Sequence, residues 1–330
     1  PRERLVAGLR DVSATIDGTT LRSSAAAPLP EPELPKLPAR DLIHVDAYRA
    51  VWRDAHGYFS LNMAASRGCS FRCNWCAKPI WGNRYLQRSA ADVAAEMLSL
   101  KRDYAADHVW FADDIFGFRV DWVREFAAAL AAGGGGVPFT IQLPADVVSP
   151  SMAAALREAG CREVWIGAES GSQKMLDAMH KGTRVAEIAQ ARHALGAEGI
   201  RVGFFLMLGY VGEELDDILA TRDLLDSTRP DDVGVSVAYP LPGTKFFDLV
   251  KRELGAKRNW EESNDLDMMF VGTYRSEFYR SVRNLLHDQV VEGPSPSVRD
   301  RWDELLRSEA QFRQRQEVPA ATRIAGHRAP

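Results

Sequence analysis

The sequence predicts an α/β chain centred on a partial, open (β/α)6 barrel of TIM-like design. A proline-rich connector precedes it and a C-terminal helical extension follows. Between Gly57 and Gly255, six apolar runs alternate with six amphipathic stretches. The runs are rich in Val, Ile and Phe, as strands buried on both faces are. Alternation of this kind implies a parallel sheet covered by helices, and six units are too few for the closed eight-stranded barrel.

Residues 1–56 read as a connector. Leu5 to Leu21 fit a short helix or a hairpin, with Asp17-Gly18 as a turn signal. Pro28, Pro30, Pro32, Pro35 and Pro38 then impose an extended strap, read as a linker rather than a binding motif. The barrel, residues 57–255, opens with a strand over Tyr58–Ala65, followed by a cysteine-rich loop. Helices are expected over Ser89–Tyr104, Asp121–Ala132, Ser149–Ala159, Thr183–Glu198, Glu213–Ser227 and Lys245–Leu254. Ser89 and the Ser149-Pro150 pair carry N-terminal capping signals. Strands are expected over His108–Ala112, Phe139–Leu143, Glu163–Ala168, Arg201–Leu208 and Asp232–Ala238. Residues 256–316 form the helical extension, with helices over Phe278–Val291 and Val298–Gln314, and residues 317–330 read as a disordered tail.

Composition narrows the function. The chain has 330 residues, 26% of them charged, with a net charge of -4. A mildly acidic balance argues against nucleic acid as the main partner, because phosphate-backbone binding needs a basic field. No run approaches the roughly 18 apolar residues of a membrane span, and no signal peptide opens the chain. Four cysteines, three of them clustered, suit a reducing compartment, so a cytoplasmic location is expected.

The cluster is Cys69, Cys73 and Cys76, spaced C-x3-C-x2-C. Three thiolates on so short a loop point to a metal rather than a disulfide framework. They can ligate three irons of a [4Fe–4S] cluster and leave the fourth iron open for reaction. The alternative is zinc closed by a fourth protein ligand, for which Cys161, His44 and His56 are the candidates.

In this context Cys69-Ser-Phe-Arg-Cys-Asn-Trp-Cys76 resembles the radical S-adenosylmethionine (SAM) superfamily. So do Trp110-Phe-Ala-Asp-Asp-Ile-Phe-Gly117, Gly167-Ala-Glu-Ser-Gly-Ser172, the Gly203–Glu213 run and Ser236-Val-Ala-Tyr-Pro-Leu-Pro-Gly-Thr244. The nearest likeness is to the barrel of cobalamin-dependent members, relatives of the anaerobic Mg-protoporphyrin monomethyl ester cyclase and of radical SAM methyltransferases. The resemblance implies a [4Fe–4S] cluster on Cys69, Cys73 and Cys76, and SAM cleaved reductively to a 5′-deoxyadenosyl radical. It places Phe111, Ala112, Asp113 and Asp114 at the SAM amino group, largely through backbone carbonyls. Substrate contact, acid–base chemistry and helix capping are alternatives for the two carboxylates. Glu169, with Ser170 beside it, matches the ribose-binding position. Gly209 and Gly212 match the turn that supports the adenine pocket, Tyr239 borders adenine, and Trp75 is the aromatic close to it; Phe71 is the other aromatic of that loop. Lys78 and Arg84 are candidates to counter the cluster's negative charge.

The chain departs from the family pattern in three ways. Pro144 stands where many relatives carry a basic residue, so that contact is missing or replaced. Val211 stands where relatives often have proline. The cobalamin-binding domain that precedes the barrel in this class is absent, and residues 1–56 resemble only its last segment and strap. The chain is therefore either a fragment or a protein that works without its own cobalamin domain. The implied function is methylation or rearrangement of a small organic molecule, using cobalamin held by a domain outside this chain and an electron donor such as flavodoxin or ferredoxin. A cobalamin-independent cyclase, oxidase or epimerase is the rival enzyme. A degenerate barrel with a structural metal is the non-enzymatic rival. RNA methylthiolation fits less well, since no second cysteine triplet and no basic RNA-binding domain are visible.

Overall fold

The computed structural model describes residues 13–16, 19–22, 37–76, 84–254 and 266–317. Lys78, the Lys257–Glu261 segment and the tail after residue 317 lie outside the described residues. Two compact units are present, residues 1–36 and 37–330. In the first, Ser13–Ile16 pairs antiparallel with Thr19–Arg22. Of the helix and the hairpin expected over this segment, paired strands are what form.

The second unit is built on six parallel strands: β1 (Ser60–Met63), β2 (His108–Phe111), β3 (Phe139–Leu143), β4 (Cys161–Glu169), β5 (Arg201–Leu208) and β6 (Asp232–Val237). Their order in the sheet is the order of the chain. The sheet curls into a half-barrel. The helices are α1 (Val45–His56), α2 (Ala90–Tyr104), α3 (Val120–Ala132), α4 (Pro150–Ala159), α5 (Gln173–Ala178), α6 (Val185–Ala197), α7 (Leu215–Thr228) and α8 (Lys245–Val250). Two longer helices, α9 (Ser276–Glu292) and α10 (Pro296–Glu317), form the extension.

Local chemistry explains the element ends. Ser89 and Ser149 accept from Asp92 N–H and Met152 N–H, and Pro150 fills the first helical position. The core forms where β2 and β3 meet α3, in an aromatic cluster of Phe111, Phe116, Phe126 and Phe139 with Trp122 stacked on Phe126 at 5.6 Å.

Two helices escape the sequence reading. α5 is six residues long, too short to show a 3.6-residue period. α1 exposes Tyr48, Val51 and Trp52, so its apolar residues do not mark a buried face. It belongs to the larger unit, which begins at Leu37. Polar contacts fasten it and the turn before it: Arg40 to Glu96 at 2.9 Å and to the Asn62 carbonyl, and Arg53 to Asp107 at 2.8 Å.

Candidate metal centre

The cysteine loop leaves the end of β1 through a narrow neck, where Ser66–Arg67 pairs antiparallel with Leu86–Gln87. Gly68 has φ +82°, and a Cβ there would stand 2.3 Å from the Arg84 carbonyl oxygen, so only glycine lets the two chains close this near. Asp113, at the end of β2, clamps the neck. Its carboxylate accepts the Ala65 N–H at 3.0 and 3.1 Å. Ser66 Oγ lies 2.5 Å from Asp113 Oδ1 and 2.8 Å from the Ile115 carbonyl oxygen. The serine has one proton to give and the carbonyl can only accept. That proton is shared between the two acceptors. Burial pushes Asp113 up to about 7, against the hydrogen bonds it accepts. The carboxylate is thus spent on the loop neck and does not line the cavity. It does not offer the acid–base pair with Asp114 that adjacent carboxylates suggest.

The far side of the loop is held by Asn74, which uses every hydrogen-bonding group it has. Its backbone N–H donates to Met179 O at 3.1 Å and its carbonyl accepts from Phe246 N–H at 2.9 Å. Its side-chain amide donates to Ala178 O and accepts from the Tyr210 hydroxyl, both at 2.8 Å. Tyr210 in turn stacks on Phe246 of α8 at 4.8 Å. Nothing in the spacing of the motif singles out Asn74. Its partners lie about a hundred residues away or more.

Between these two anchorages the three cysteines line one cavity of about 490 Å³ at the carboxyl ends of the strands. Trp75, Asp114 and Glu169 line it as well. Phe111, Ala112, Asp113, Ser170, Gly209, Gly212 and Tyr239 do not. Phe111 is in the aromatic core, and Ser170 turns to Thr221 of α7 at 3.2 Å. Gly209 donates its N–H to Glu213 at 2.7 Å, and burial pushes that carboxyl up to about 8.

Glu169 sits at a register shift between Gly167 and Glu169, with a left-handed φ of +60°. The irregularity re-aims its side chain into the cavity. There it pairs with Lys181 at 2.8 Å, both side chains buried. A Cβ at Gly167 would lie 2.7 Å from Lys181 Nζ and 2.9 Å from Glu169 Oε1, so glycine makes room for the pair. Burial disfavours the ammonium, but Glu169 and then Cys73 more than offset this and raise Lys181. Burial pushes the Cys73 thiol up to about 11, with Lys181 pulling the other way. The segment between α5 and α6 thus brings a buried cation into the cavity that Pro144 also lines. Sequence reading missed Lys181 because it follows no strand directly.

The donor set fits an iron–sulfur cluster better than zinc. Zinc needs donors about 2 Å from one point. Among the described residues no three of His, Cys, Asp and Glu converge in that way. A four-iron cube spreads its three ligands over three irons. His56 packs against Trp52 and Tyr58, and Tyr58 against His108 at the start of β2, away from the cysteines.

Residues 63–225 match the Radical SAM superfamily. The chain is 24% identical over 237 residues to an uncharacterized methyltransferase of Pyrococcus horikoshii, covering 71% of this chain and 50% of that protein. It is 30% identical over 261 residues to the tRNA-2-methylthio-N(6)-dimethylallyladenosine synthase of Prosthecochloris aestuarii, covering 75% and 59%. The radical SAM methyltransferase TsrM from Kitasatospora setae, solved with cobalamin and a [4Fe–4S] cluster bound, shares the fold with a TM-score of 0.56. That match has 21% identity over 66% of this chain and 42% of TsrM. The chain thus spans about half the length of the relatives it matches. Among the described residues, no helix is long and apolar enough to cross a membrane. With its cysteine motif at the end of β1 of a six-stranded half-barrel, the chain carries a radical SAM domain over residues 63–225.

Proposed function

We propose that this chain binds a [4Fe–4S] cluster on Cys69, Cys73 and Cys76 and SAM beside it, to carry out radical methylation or rearrangement of a small organic molecule. The observation that carries this reading is three cysteines lining one cavity with a buried Glu169–Lys181 pair. When bound, the cluster supplies the electron that splits SAM into methionine and a 5′-deoxyadenosyl radical. The protein's part is binding and orientation. Lys181 offers a positive charge to the SAM carboxylate, in place of the base absent at Pro144. Its remaining ammonium protons are free to do so while Glu169 Oε1 keeps one. Glu169 Oε2 is left to accept a ribose hydroxyl. Asp114 bears a carboxylate for the SAM amino group. Trp75 lines the same cavity, and its indole N–H is buried without a partner among the described residues, which suits a donor waiting for a ligand. Gly209, Gly212 and Tyr239 are assigned to the adenine side.

The protein should be reconstituted anaerobically and given SAM and dithionite. 5′-Deoxyadenosine should appear, and Cys73→Ala should abolish both it and the cluster's visible absorbance. A well-loaded protein that leaves SAM intact would sink the reading and favour a structural metal. The use of cobalamin rests on the likeness to cobalamin-containing enzymes. Cobalt analysis of the full-length protein tests it, with no cobalt and no methylated product counting against it. A ferredoxin or flavodoxin replacing dithionite identifies the natural donor class. Methylthio transfer to RNA is a second reading, favoured by the Prosthecochloris relative, and a methylthiolated nucleoside would establish it instead.

A further inference from the structure

The cavity has two chemically distinct walls. One is the charged wall described above. The other lies deeper along the strands. Trp165 precedes Glu169 by four residues on β4, roughly 13 Å at the usual strand rise. Trp165 and Phe205 are stacked at 4.7 Å with an interplanar angle of 25°, and both line the cavity half-exposed.

Register explains how two large rings lie flat there. Trp165 pairs with Gly203 on β5, and Phe205 pairs with Gly167 on one side and Gly234 on the other. Aromatic and glycine thus alternate across three strands. A Cβ at Gly203 would come within 2.6 Å of the indole, and one at Gly234 within 3.2 Å of the Phe205 ring. Barrel interiors are ordinarily filled by layers of branched side chains. Here three glycines take those places and leave an open aromatic surface.

The surface is held rather than loose. The indole N–H donates to Glu163 Oε2 at 3.2 Å, and Glu163 is gripped by Arg201 at 3.4 Å. A chain of side-chain contacts continues from Glu163 through Thr140 and His108 to Ser60 of β1. The one polar atom of the tryptophan is therefore used, and its face is what the cavity presents. Gln142 of β3 lines the same space, and its side-chain amide has no hydrogen-bond partner among the described residues.

We propose that the Trp165–Phe205 wall is the substrate-binding surface, taking a flat, uncharged, conjugated ring with Gln142 available to its polar edge. Among the described residues, Glu163 beside this wall is already engaged by the indole N–H and Arg201, and the aromatic face rewards a stacked ring. The assignment rests on the radical SAM reading for its role in catalysis, but the binding surface can be tested without it.

The probe is indole, with cyclohexanol as a non-planar control, titrated calorimetrically into the cluster-loaded protein in the presence of SAM. Wild type should bind indole and not cyclohexanol. Trp165→Ala and Gly234→Val should weaken indole by about tenfold or more, Trp165→Phe should restore most of it, and SAM affinity should move far less. Circular dichroism confirms that each variant folds. Absence of indole binding to wild type, or indole affinity unchanged in Trp165→Ala, would overturn the proposal. So would a loss of SAM affinity as large as the loss of indole affinity, since the wall would then be SAM's. Failure of the radical reading shows separately, as no 5′-deoxyadenosine from wild type even where indole binds.

Discussion

The cysteine loop is fastened at its two sides by different chemistry. On the β2 side a buried carboxylate, Asp113, holds the neck through Ala65 and Ser66, and burial pushes its titration up to about 7. On the β5–β6 side a neutral carboxamide, Asn74, ties the loop to α5, Tyr210 and α8 without any ionisable group of its own. The neutral lock keeps its geometry at any working pH. The carboxylate lock holds best while it keeps its proton. The difference separates what fixes the ligands in space from what makes that fixing depend on conditions.

Removing the neutral lock should have the largest effect. Asn74→Ala takes the carboxamide from the buried Tyr210 hydroxyl and Ala178 carbonyl and leaves them only their own longer contact at 3.3 Å, each lost bond being worth about 1–3 kcal/mol. A loss of roughly 3 kcal/mol in the stability of the metal-free protein is expected, measured by urea unfolding. Iron should also leave faster to a chelator. An unchanged chelation rate would mean that the loop does not depend on this side.

The carboxylate lock comes next, and here the sign can be worked out. Asp113 sits at about 7 in the folded protein against 3.8 for an ordinary aspartate. The folded state therefore holds more protons than the unfolded state between those values, and stability falls as pH rises through that window. Glu213, raised from 4.5 to about 8 by burial, acts in the same direction. Asp113→Asn keeps an acceptor for Ala65 N–H and a donor for Ser66 while removing the titration. It should fold normally and flatten the pH dependence below pH 7, leaving the part due to Glu213. Asp113→Ala should cost about 2 kcal/mol at low pH. If Asp113→Asn behaves like Asp113→Ala, the carboxylate is needed as an anion and a neutral side chain does not hold the neck.

The same contrast shows what the sequence could disclose. The cysteine triplet and the six strands were legible because their signals are local: a short spacing, and runs of Val, Ile and Phe between capped helices. Glu169, Trp75 and Asp114 followed from motif position, and all three line the cavity. Asn74 and Lys181 were not legible. Asn74 acquires its role from Tyr210 and Phe246, far along the chain, and Lys181 from a bulge in β4 that aims Glu169 at it. Asp113 was legible as a site residue but not in its orientation. Two adjacent carboxylates after a strand alternate faces, so one turns to the cavity and the other to the loop neck. The proline strap lies largely outside the described residues, and α5 is shorter than the pattern that would reveal it.

The smallest test sharpens the neutral lock most. Tyr210→Phe removes one hydroxyl and keeps the ring stacked on Phe246. The Asn74 side-chain oxygen loses its hydrogen-bond donor, while its amide still reaches Ala178 and the backbone bonds to Met179 and Phe246 remain. The expected cost is about 1 kcal/mol, below that of Asn74→Ala, and independent of pH between 6 and 8 because burial raises the Tyr210 phenol above the usual tyrosine range and it keeps its proton throughout that window. Combining it with Asn74→Ala separates the two contributions. If the pair acts as one unit, the double variant should be no less stable than Asn74→Ala alone, since the hydroxyl has then already lost its partner. Additive losses would mean that Tyr210 supports the loop through its second, longer contact to the Ala178 carbonyl at 3.3 Å rather than through Asn74.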